Sequence, residues 1–279
     1  MTNQLVSVIV TTKNEERNIG RCLESVKNQS YSNIEIIVVD NDSSDKTKKI
    51  AKKYTGKVYD LKSEVDLKNV VSYRGAQMNF GVSKCNGKLI FFPDADMTFD
   101  KNLIGEAVQK LDKIDAFFIP EIIRGKGFFG KIRNFERSFY NQTCIDGVRI
   151  VKKELYYKIG GFDEKNIMFG PDDWDFTKRI KINSRKTGIT KSVLYHHEEA
   201  LTIKSYIRKK KKYVHTFDGY IKKWGKNDPD IKKQLGAYYR MIGVFVENGK
   251  WKKLISSPIL SIGMYFVRFL VAINYLFTR

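Results

Sequence analysis

The sequence predicts an α/β fold in which a mostly parallel central sheet is flanked by helices and followed by a helical, partly apolar C-terminal extension. Three observations support this prediction. The chain has 279 residues, enough for one large α/β domain or two smaller ones. Short, β-branched apolar runs alternate with helix-length connections in the first half, as in βαβ units with parallel strands. After about residue 200 the alternation stops, and the chain becomes first basic and then apolar.

The first half carries the clearest elements. Short apolar runs, typical of strands buried on both faces, predict strands at residues 5–11, 34–39, 58–59 and 89–92. Ile19, Cys22, Leu23 and Val26 share one helix face by their spacing, which predicts a helix beginning at Asn18. Further helices are expected over residues 46–54 and 73–83. The polar residues that follow the strands are then the candidate ligand-binding residues, because open α/β sheets bind ligands beyond the carboxyl ends of their strands.

The second half is less regular. Residues 116–120 predict a strand. Pro171 is expected in the first turn of a helix, where its missing N–H costs no hydrogen bond. Residues 203–217 place apolar side chains on one side of a helix and the basic run 208–212 on the other.

The composition narrows the class of protein. The 51 Lys and Arg residues exceed the 31 Asp and Glu residues by 20, which calls for a negatively charged partner such as a phosphorylated substrate, an anionic membrane surface or nucleic acid. Three cysteines with no paired spacing, at 22, 85 and 144, argue against a disulfide framework and a zinc ribbon.

The strongest chemical signal is the acidic pair Asp94 and Asp96, which follows the strand at 89–92. Two carboxylates two residues apart point the same way and can hold Mg²⁺ or Mn²⁺, which prefer oxygen ligands and leave positions open for phosphate. A second interpretation makes them turn formers that cap the next helix at Asn102.

Other motifs accompany the pair in a fixed order. They are residues 11–16 (TTKNEE), residues 40–43 (DNDS), Arg74, Asn79, Gly81, residues 160–164 (GGFDE) and residues 170–175 (GPDDWD). Taken together, the motifs resemble those of the family 2 glycosyltransferases, inverting enzymes of the GT-A fold that take a sugar from a nucleotide-diphosphate donor. The resemblance covers about residues 5–200.

The resemblance implies a role for each matching position. It assigns the nucleotide to Thr11, Lys13, Glu15, Asp40, Asn41, Arg74 and Asp94. It assigns a Mn²⁺ or Mg²⁺ ion to Asp94, Asp96 and His197. Asp173 matches the general base, and the candidates for the acceptor site are Asp172, Trp174 and Arg149. The alternative for the acids of residues 172–175 is that they stabilise a helix N-terminus through its dipole.

His196 and His197 are adjacent, so on a strand their side chains point to opposite faces. His197, directly before two acids, matches the family's metal or diphosphate position better. A histidine in a polar surface turn is the other interpretation.

Residues 254–277 form a 24-residue apolar stretch whose single charge is Arg268. Together with the basic run 208–212, this stretch predicts attachment to an anionic membrane surface. Spanning, lying on the membrane and packing on the domain all remain open. We expect the protein at the cytoplasmic face of the cell membrane, peripheral or anchored by its C-terminus.

These observations predict a catalytic domain over residues 1–200, with its nucleotide-sugar half at about 1–100 and its acceptor half at about 101–200. A basic and apolar extension follows at 201–279. The expected function is a metal-dependent hexosyl transfer from a nucleotide-diphosphate sugar, UDP by default, to a hydroxyl of a glycan or polyprenyl-linked acceptor.

Two alternatives stay open at this stage. One is a haloacid-dehalogenase-like, Mg²⁺-dependent phosphatase, since residues 94–98 (DADMT) also fit the nucleophile motif of that class. The other is a non-catalytic, basic nucleic-acid-binding protein. We do not expect nucleic acid as a partner, because the acids concentrate at predicted strand ends and no basic–aromatic module is present.

Overall fold

The computed structural model describes residues 3–276. The strands in this range are β1 (Val6–Thr12), β2 (Ile34–Asp40), β3 (Val58–Asp60), β4 (Leu89–Phe91), β5 (Met97–Phe99), β6 (Ala116–Phe118), β7 (Glu121–Arg124), β8 (Ile150–Lys152), β9 (Thr187–Ile189) and β10 (Leu194–His197). The α-helices are α1 (Ile19–Lys27), α2 (Thr47–Ala51), α3 (Leu61–Glu64), α4 (Tyr73–Ser83), α5 (Leu103–Gln109), α6 (Gly127–Arg137), α7 (Lys153–Lys158), α8 (Asp172–Asn183), α9 (Ile203–Lys212), α10 (Asp218–Trp224), α11 (Pro229–Leu235), α12 (Val244–Val246), α13 (Trp251–Ser256) and α14 (Pro258–Leu276). Short 3-10 turns at Tyr213–Thr216 and Glu247–Gly249 and a π-helical segment at Tyr239–Gly243 join the last helices.

The larger sheet has the strand order β3-β2-β1-β4-β8-β6-β9 within the described residues. Parallel pairing joins β3 to β2, β2 to β1, β1 to β4 and β6 to β9, whereas β8 runs antiparallel to β4 and β6. A smaller sheet, in the order β5-β10-β7, brings β10 beside the segment that follows β4. The predicted mostly parallel sheet is therefore confirmed.

Both faces of the larger sheet are buried. Along β1, Val8 and Val10 belong to one apolar cluster and Ile9 to another, as the two-residue period of a strand requires. Helices α1 and α5 cover the first face, and α4, α7 and α8 cover the second. The apolar runs of the sequence predict strands that are buried on both faces, and the strands of the larger sheet are buried in this way.

The C-terminal helices share a third apolar cluster with α6, built around Phe139, Phe245 and Met264. Arg268, the single charge of the predicted apolar stretch, lies inside this contact. Its guanidinium donates to Glu136 of α6 and to the Tyr140 hydroxyl, the latter over 3.0 Å. The charge that interrupts the apolar stretch in the sequence therefore pairs with a carboxylate of α6.

The apolar stretch is divided into α13 and α14 at Ser257, directly before Pro258. Among residues 3–276, none of the helices combines the length and hydropathy that a membrane crossing requires. Phe277, the last residue of the predicted stretch, lies outside the described residues, as do residues 1–2 and 278–279 of the predicted domains. The boundary at residue 200 stays a prediction.

Helix α4 sits close to β1 because it carries Gly81 at the contact. A Cβ atom on Gly81 would overlap the Cγ2 methyl of Ile9 and stand 3.3 Å from that of Val39. Both neighbours are fully buried β-branched residues of the sheet, which cannot swing away. This glycine therefore sets the distance at which α4, and Arg74 at its start, lies from the sheet.

We predict opposite effects for alanine at two glycines inside helices. Gly81→Ala should lower the free energy of unfolding by about 1–3 kcal/mol, the usual cost of overpacking a core. Gly105→Ala in α5 meets nothing closer than 3.8 Å, so it should raise that free energy by up to ~1 kcal/mol through helix propensity. Urea unfolding of both variants measures the two values, and equal stabilities would contradict the close packing of α4 on β1.

Candidate active site

The parallel strands β1, β2 and β4 end at one edge of the sheet and bring three predicted segments together. Thr12 pairs with Asp40 in the register of β1 and β2, and Thr11 forms a bridge with Asp94 just beyond β4. The acidic pair thus follows the fourth strand of the chain. The phosphatase alternative expects its nucleophilic Asp after the first strand of its core, and this placement does not fit it.

Arg74, in the first turn of α4, is the central cation of the site. Its Nε donates to Asp94 Oδ1 over 3.2 Å, and its Nη1 donates to Asp172 Oδ2 over 3.1 Å and to Asp173 Oδ1 over 2.9 Å. The guanidinium therefore joins the acidic pair after β4 to the acids at the start of α8, 98 and 99 residues further along the chain from Arg74.

Asp94 has a second cationic partner. Arg149, just before β8, donates from Nη1 to Asp94 Oδ2 over 2.9 Å. Burial alone would raise the pKa of the Asp94 carboxyl, but the charges of Arg74 and Arg149 outweigh it and hold that pKa well below its ordinary range. Asp94 is ionised at neutral pH, with both oxygens engaged.

The pKa of Asp172 is shifted in the opposite direction from that of Asp94. Its side chain is only 4% exposed, and Oδ1 accepts the backbone N–H groups of Gly170 and Asp173, each over 3.0 Å. Burial, opposed by Arg74 and supported by the charge of Asp173, raises the pKa of Asp172. Asp173 is more open at 29% exposed, so it is the acid of this pair that can meet a substrate.

His196, and not His197, contacts the acidic pair with its side chain. His196 Nε2 lies 3.1 Å from Asp96 Oδ2, and Nδ1 lies 2.8 Å from Glu121 Oε1. Burial lowers the pKa of His196, but its hydrogen bonds to Asp96 and Glu121 outweigh burial and raise the pKa to about 10. The imidazolium therefore donates to both carboxylates.

The sequence predicts that His197 contacts the acidic pair, but His196 makes this contact, because the two adjacent side chains point to opposite faces of β10. His197 points to the other face of β10, where Nε2 lies 2.9 Å from Thr98 Oγ1 and Nδ1 lies 2.9 Å from Glu199 Oε1. The sequence shows that the two rings diverge but does not show which one faces inward. Pairing of β10 with β7 puts His196 on the face that carries Glu121, since Leu194 lies opposite Glu121 and His196 lies opposite Ile123.

The acidic pair fits a divalent cation through one particular atom. Asp96 Oδ1 is buried and has no hydrogen-bond partner within residues 3–276, which is costly unless a ligand supplies one. The same residues contain no group of three or more His, Cys, Asp or Glu side chains arranged around one metal position. Mg²⁺ typically binds through one or two carboxylates together with substrate phosphates, and Asp96 with Asp94 matches that pattern.

The remaining nucleotide-binding candidates surround the ends of β1 and β2. Thr11 and Asn41 are buried, Lys13 is exposed and Glu15 is half-buried. Burial raises the pKa of Glu15, and the charges of Asp96 and Asp94 add to that rise. These residues therefore lie around one region, and their roles toward a nucleotide stay predictions.

Asp40 already has partners in its own loop. It is fully buried and accepts the Ser43 N–H over 2.7 Å and the Ser43 hydroxyl over 2.5 Å. The carboxylate thus holds the loop after β2, as an Asx-type turn does. Any contact between Asp40 and the nucleobase of a donor would use the remaining lone pairs of the carboxylate.

The acceptor candidates border a cavity of about 800 Å³ beside the acids. Asp172 and Trp174 line it together with Asp173, while Arg149 lines a smaller recess of about 230 Å³ that also reaches Asp173. Trp174 donates from its indole N–H to the Ile145 carbonyl over 3.2 Å and stacks on Phe217. Each of the three candidates thus lines a cavity that Asp173 also lines.

Two cavity residues, Lys210 and Arg240, are absent from the sequence prediction. Lys210 belongs to the basic run 208–212, which in the sequence indicates only a charged helix face. Arg240 stands alone in the sequence, in a segment without a motif. Only the fold of the C-terminal helices over α8 shows that both lie near Asp173.

Comparison with known proteins agrees with this architecture. Residues 7–176 match the model of the family described as Glycosyl transferase family 2. This match covers more than half of the chain, and the chain therefore belongs to glycosyl transferase family 2.

Individual relatives share parts of the chain. The glycosyltransferase AglE of Haloferax volcanii is 38% identical over 100 residues, which are 34% of this chain and 32% of that protein. The poly(ribitol-phosphate) β-N-acetylglucosaminyltransferase TarS of Staphylococcus aureus is 23% identical over 205 residues, or 68% of this chain and 35% of TarS. The chain spans about a third of the length of these curated relatives.

A solved structure shares the fold over nearly the whole chain. The mannosyltransferase PcManGT from Pyrobaculum calidifontis, in complex with GDP-Man and Mn²⁺, superposes with a TM-score of 0.62 at 21% identity. The superposition covers 99% of this chain and 85% of that one. The predicted GT-A-like fold is confirmed.

We predict that Arg74→Met destabilises the fold by roughly 3 kcal/mol at neutral pH, because it leaves buried carboxylates without their cation. Arg74 lowers the pKa of folded Asp94, so its contribution is present above the ordinary Asp pKa and fades as the pH falls. The gap from wild type should therefore narrow below about pH 4. Denaturant unfolding across pH measures this gap, with the exposed Lys165→Met as the matched control; a pH-independent gap would contradict the role of the charges.

Proposed function

We propose that this chain is a metal-dependent, inverting glycosyltransferase that moves a sugar from a nucleotide-diphosphate donor, with UDP as the default, to a hydroxyl of a glycan or polyprenyl-linked acceptor. One observation carries the proposal. Asp173 is held by Arg74 at 2.9 Å beside the acidic pair and faces a cavity that is large enough for an acceptor. A base for the acceptor and a position for the diphosphate therefore lie next to each other.

In the proposed step, the acceptor oxygen attacks the anomeric carbon while the bond from that carbon to the diphosphate oxygen breaks. Asp173 takes the acceptor's proton, and the departing nucleoside diphosphate keeps the electron pair and the added negative charge. Within the described residues, Arg74 bonds only Oδ1 of Asp173, which leaves Oδ2 for the acceptor hydroxyl. Arg74 and Arg149 hold Asp94 ionised beside the place where the leaving group gains charge.

Asp96 and Asp94 would hold the Mn²⁺ or Mg²⁺ ion. When bound, such an ion neutralises charge on the leaving diphosphate as a Lewis acid. His196, a donor to Asp96 and Glu121, fixes the Asp96 carboxylate so that Oδ1 is the free oxygen.

The names of similar proteins support the donor class. TarS has been solved in complex with UDP-GlcNAc and PcManGT with GDP-Man and Mn²⁺. These two donors differ in base and in sugar, so the family likeness supports a nucleotide-diphosphate sugar without choosing one.

We predict that two substitutions separate donor binding from chemistry. Asp96→Asn should weaken Mn²⁺-dependent binding of UDP by tenfold or more, since even an outer-shell partner of a metal ligand is worth roughly 10–100-fold. Asp173→Asn should bind UDP and Mn²⁺ like wild type but lose about 10²–10⁴-fold in kcat, the usual contribution of a general base. Calorimetric titration measures the first quantity, and a nucleotide-sugar panel with released UDP as readout measures the second.

The exposed Asp112→Asn serves as the control and should match wild type in both assays. Removing the metal with a chelator should reproduce the binding defect of Asp96→Asn in wild type. Turnover of Asp173→Asn at the wild-type rate would refute the base assignment, and UDP binding that ignores both Mn²⁺ and Mg²⁺ would refute the metal assignment.

We further propose that the chain works on an anionic membrane surface, in line with a cytoplasmic-face location. Five apolar side chains on α13 and α14 recur every three or four residues and are 57–72% exposed: Ile255, Ile259, Ile262, Phe266 and Phe269. We call this row the apolar stripe. Lys250, Lys252 and Lys253 precede it, and the sequence has no acid after Glu247. An apolar row with cations at its edge and no acids suits the interface of an anionic bilayer.

We predict that the full chain floats with vesicles containing phosphatidylglycerol and less with purely zwitterionic vesicles. A variant with Ile259, Ile262 and Phe266 all changed to Asn should stay in solution. Ile182→Asn, a similarly exposed isoleucine on α8, is the matched control and should still float. Flotation of the triple variant would refute the assignment. A wild-type protein that is dimeric, with a triple variant that is monomeric, would instead identify a second copy as the partner that covers the apolar stripe.

A further inference from the structure

The 800 Å³ cavity extends from the catalytic carboxylates under the C-terminal helices. Asp94, Asp173 and His196 line one part of it, and α9, α10, α11, α14 and the π-helical segment supply most of the rest. Its volume lies within the ~300–1,000 Å³ of small-molecule sites. Apart from Arg74 and Asp94, the predicted nucleotide-binding residues do not line it, so the cavity is available to the second substrate.

One wall of the cavity is cationic. Lys209 and Lys210 of α9 and Arg240 of the π-helical segment line it, and the smaller recess beside Asp173 adds Arg133. Two nearby acids are already engaged, because Glu136 pairs with Arg133 and Arg268 and Glu198 pairs with Arg133, while Asp218 also lines the cavity. Burial, followed by the charges of Arg133 and Arg240, lowers the pKa of Lys210 to about 7. Lys209 and Arg240 therefore give this wall more positive charge than Asp218 balances.

The arginine in this wall is well suited to bind an anion. Within residues 3–276, Arg240 has no carboxylate within salt-bridge distance, and its guanidinium lies over the ring of Tyr140 at 5.9 Å from the centroid. This cation–π contact holds the guanidinium at the wall, and its N–H groups can donate hydrogen bonds in pairs. A phosphate group would accept such paired, charge-assisted hydrogen bonds.

Other walls of the same cavity are apolar. Phe169, Phe217, Ile221, Leu235, Met241 and Val271 line it. These side chains can bury a hydrocarbon chain. Helix α14 contributes Val271 and Ala272 to the cavity and carries the apolar stripe on its exposed side. The cavity wall and the proposed membrane face thus share one helix.

We propose that the acceptor is a sugar joined through a phosphate ester to a hydrocarbon chain, with the phosphate bound by Arg240 and the lysines of α9 and the chain in the apolar part of the cavity. The proposal rests on the proposed function, because it places the sugar hydroxyl at Asp173. It narrows the acceptor from a glycan or a polyprenyl-linked acceptor to a lipid phosphate.

The experiment uses the full chain and a probe without any sugar, so that it does not depend on the transfer reaction. Dodecyl phosphate, below its micellar concentration, should bind at least tenfold more tightly in calorimetric titration than inorganic phosphate or dodecyl maltoside. Arg240→Gln should weaken the binding of dodecyl phosphate by tenfold or more and leave Mn²⁺-dependent UDP binding unchanged. Lys209→Gln, at an exposed position, should also weaken the binding of dodecyl phosphate. It replaces Arg240→Gln as the test variant if Arg240→Gln does not fold. Lys165→Gln is the control.

Each outcome decides a part of the proposal. Equal binding of inorganic phosphate overturns the lipid part, equal binding of dodecyl maltoside overturns the phosphate part, and wild-type affinity in both variants overturns the assignment to this wall. A cavity that binds dodecyl phosphate in a protein without transfer from any nucleotide sugar would refute the proposed function alone. Transfer to a phosphate-free glycan at full rate, with no binding of dodecyl phosphate, would refute this inference alone.

Discussion

The site depends on one guanidinium. Asp94, Asp172 and Asp173 arrive from the end of a strand and the start of a helix, and without a cation their charges would repel each other in a partly buried place. Arg74 contacts all three carboxylates and so converts their repulsion into a fixed arrangement. Its own position depends on the close contact of α4 with β1, which Gly81 permits. Core packing thus controls the electrostatics of the site.

The three carboxylates share this cation but do not share a protonation behaviour. Asp94 also receives Arg149, and the two cations hold its pKa down, whereas Asp172 is more deeply buried and lies beside a second carboxylate, so its pKa rises. The opposite pKa shifts of Asp94 and Asp172 suit two different roles. A permanently ionised Asp94 can face a cation and a diphosphate, while Asp172 accepts backbone N–H groups and orients the first turn of α8, from which Asp173 reaches the cavity.

Local pattern was sufficient to predict much of this structure. The helix predicted over 73–83 occupies those residues, and the predicted strands at 34–39 and 89–92 differ from β2 and β4 by a single residue. The order of the motifs was enough to identify the family. What local pattern cannot supply is contact between distant segments: the inward position of His196 depends on pairing with β7, and Arg268 meets Glu136 across 132 residues.

Arg268 shows how such a contact changes the meaning of a sequence. In the sequence it is the charge that weakens a transmembrane interpretation of residues 254–277. In the fold it pairs with Glu136, so one side of α14 packs toward α6 together with the buried Met264 and Val267. Only the opposite side, the apolar stripe, is left to face a bilayer. Insertion of this helix into a bilayer would break a buried ion pair, which is costly. The same attachment fixes the wall of the cavity that we assign to a lipid phosphate, so the two proposals depend on one helix.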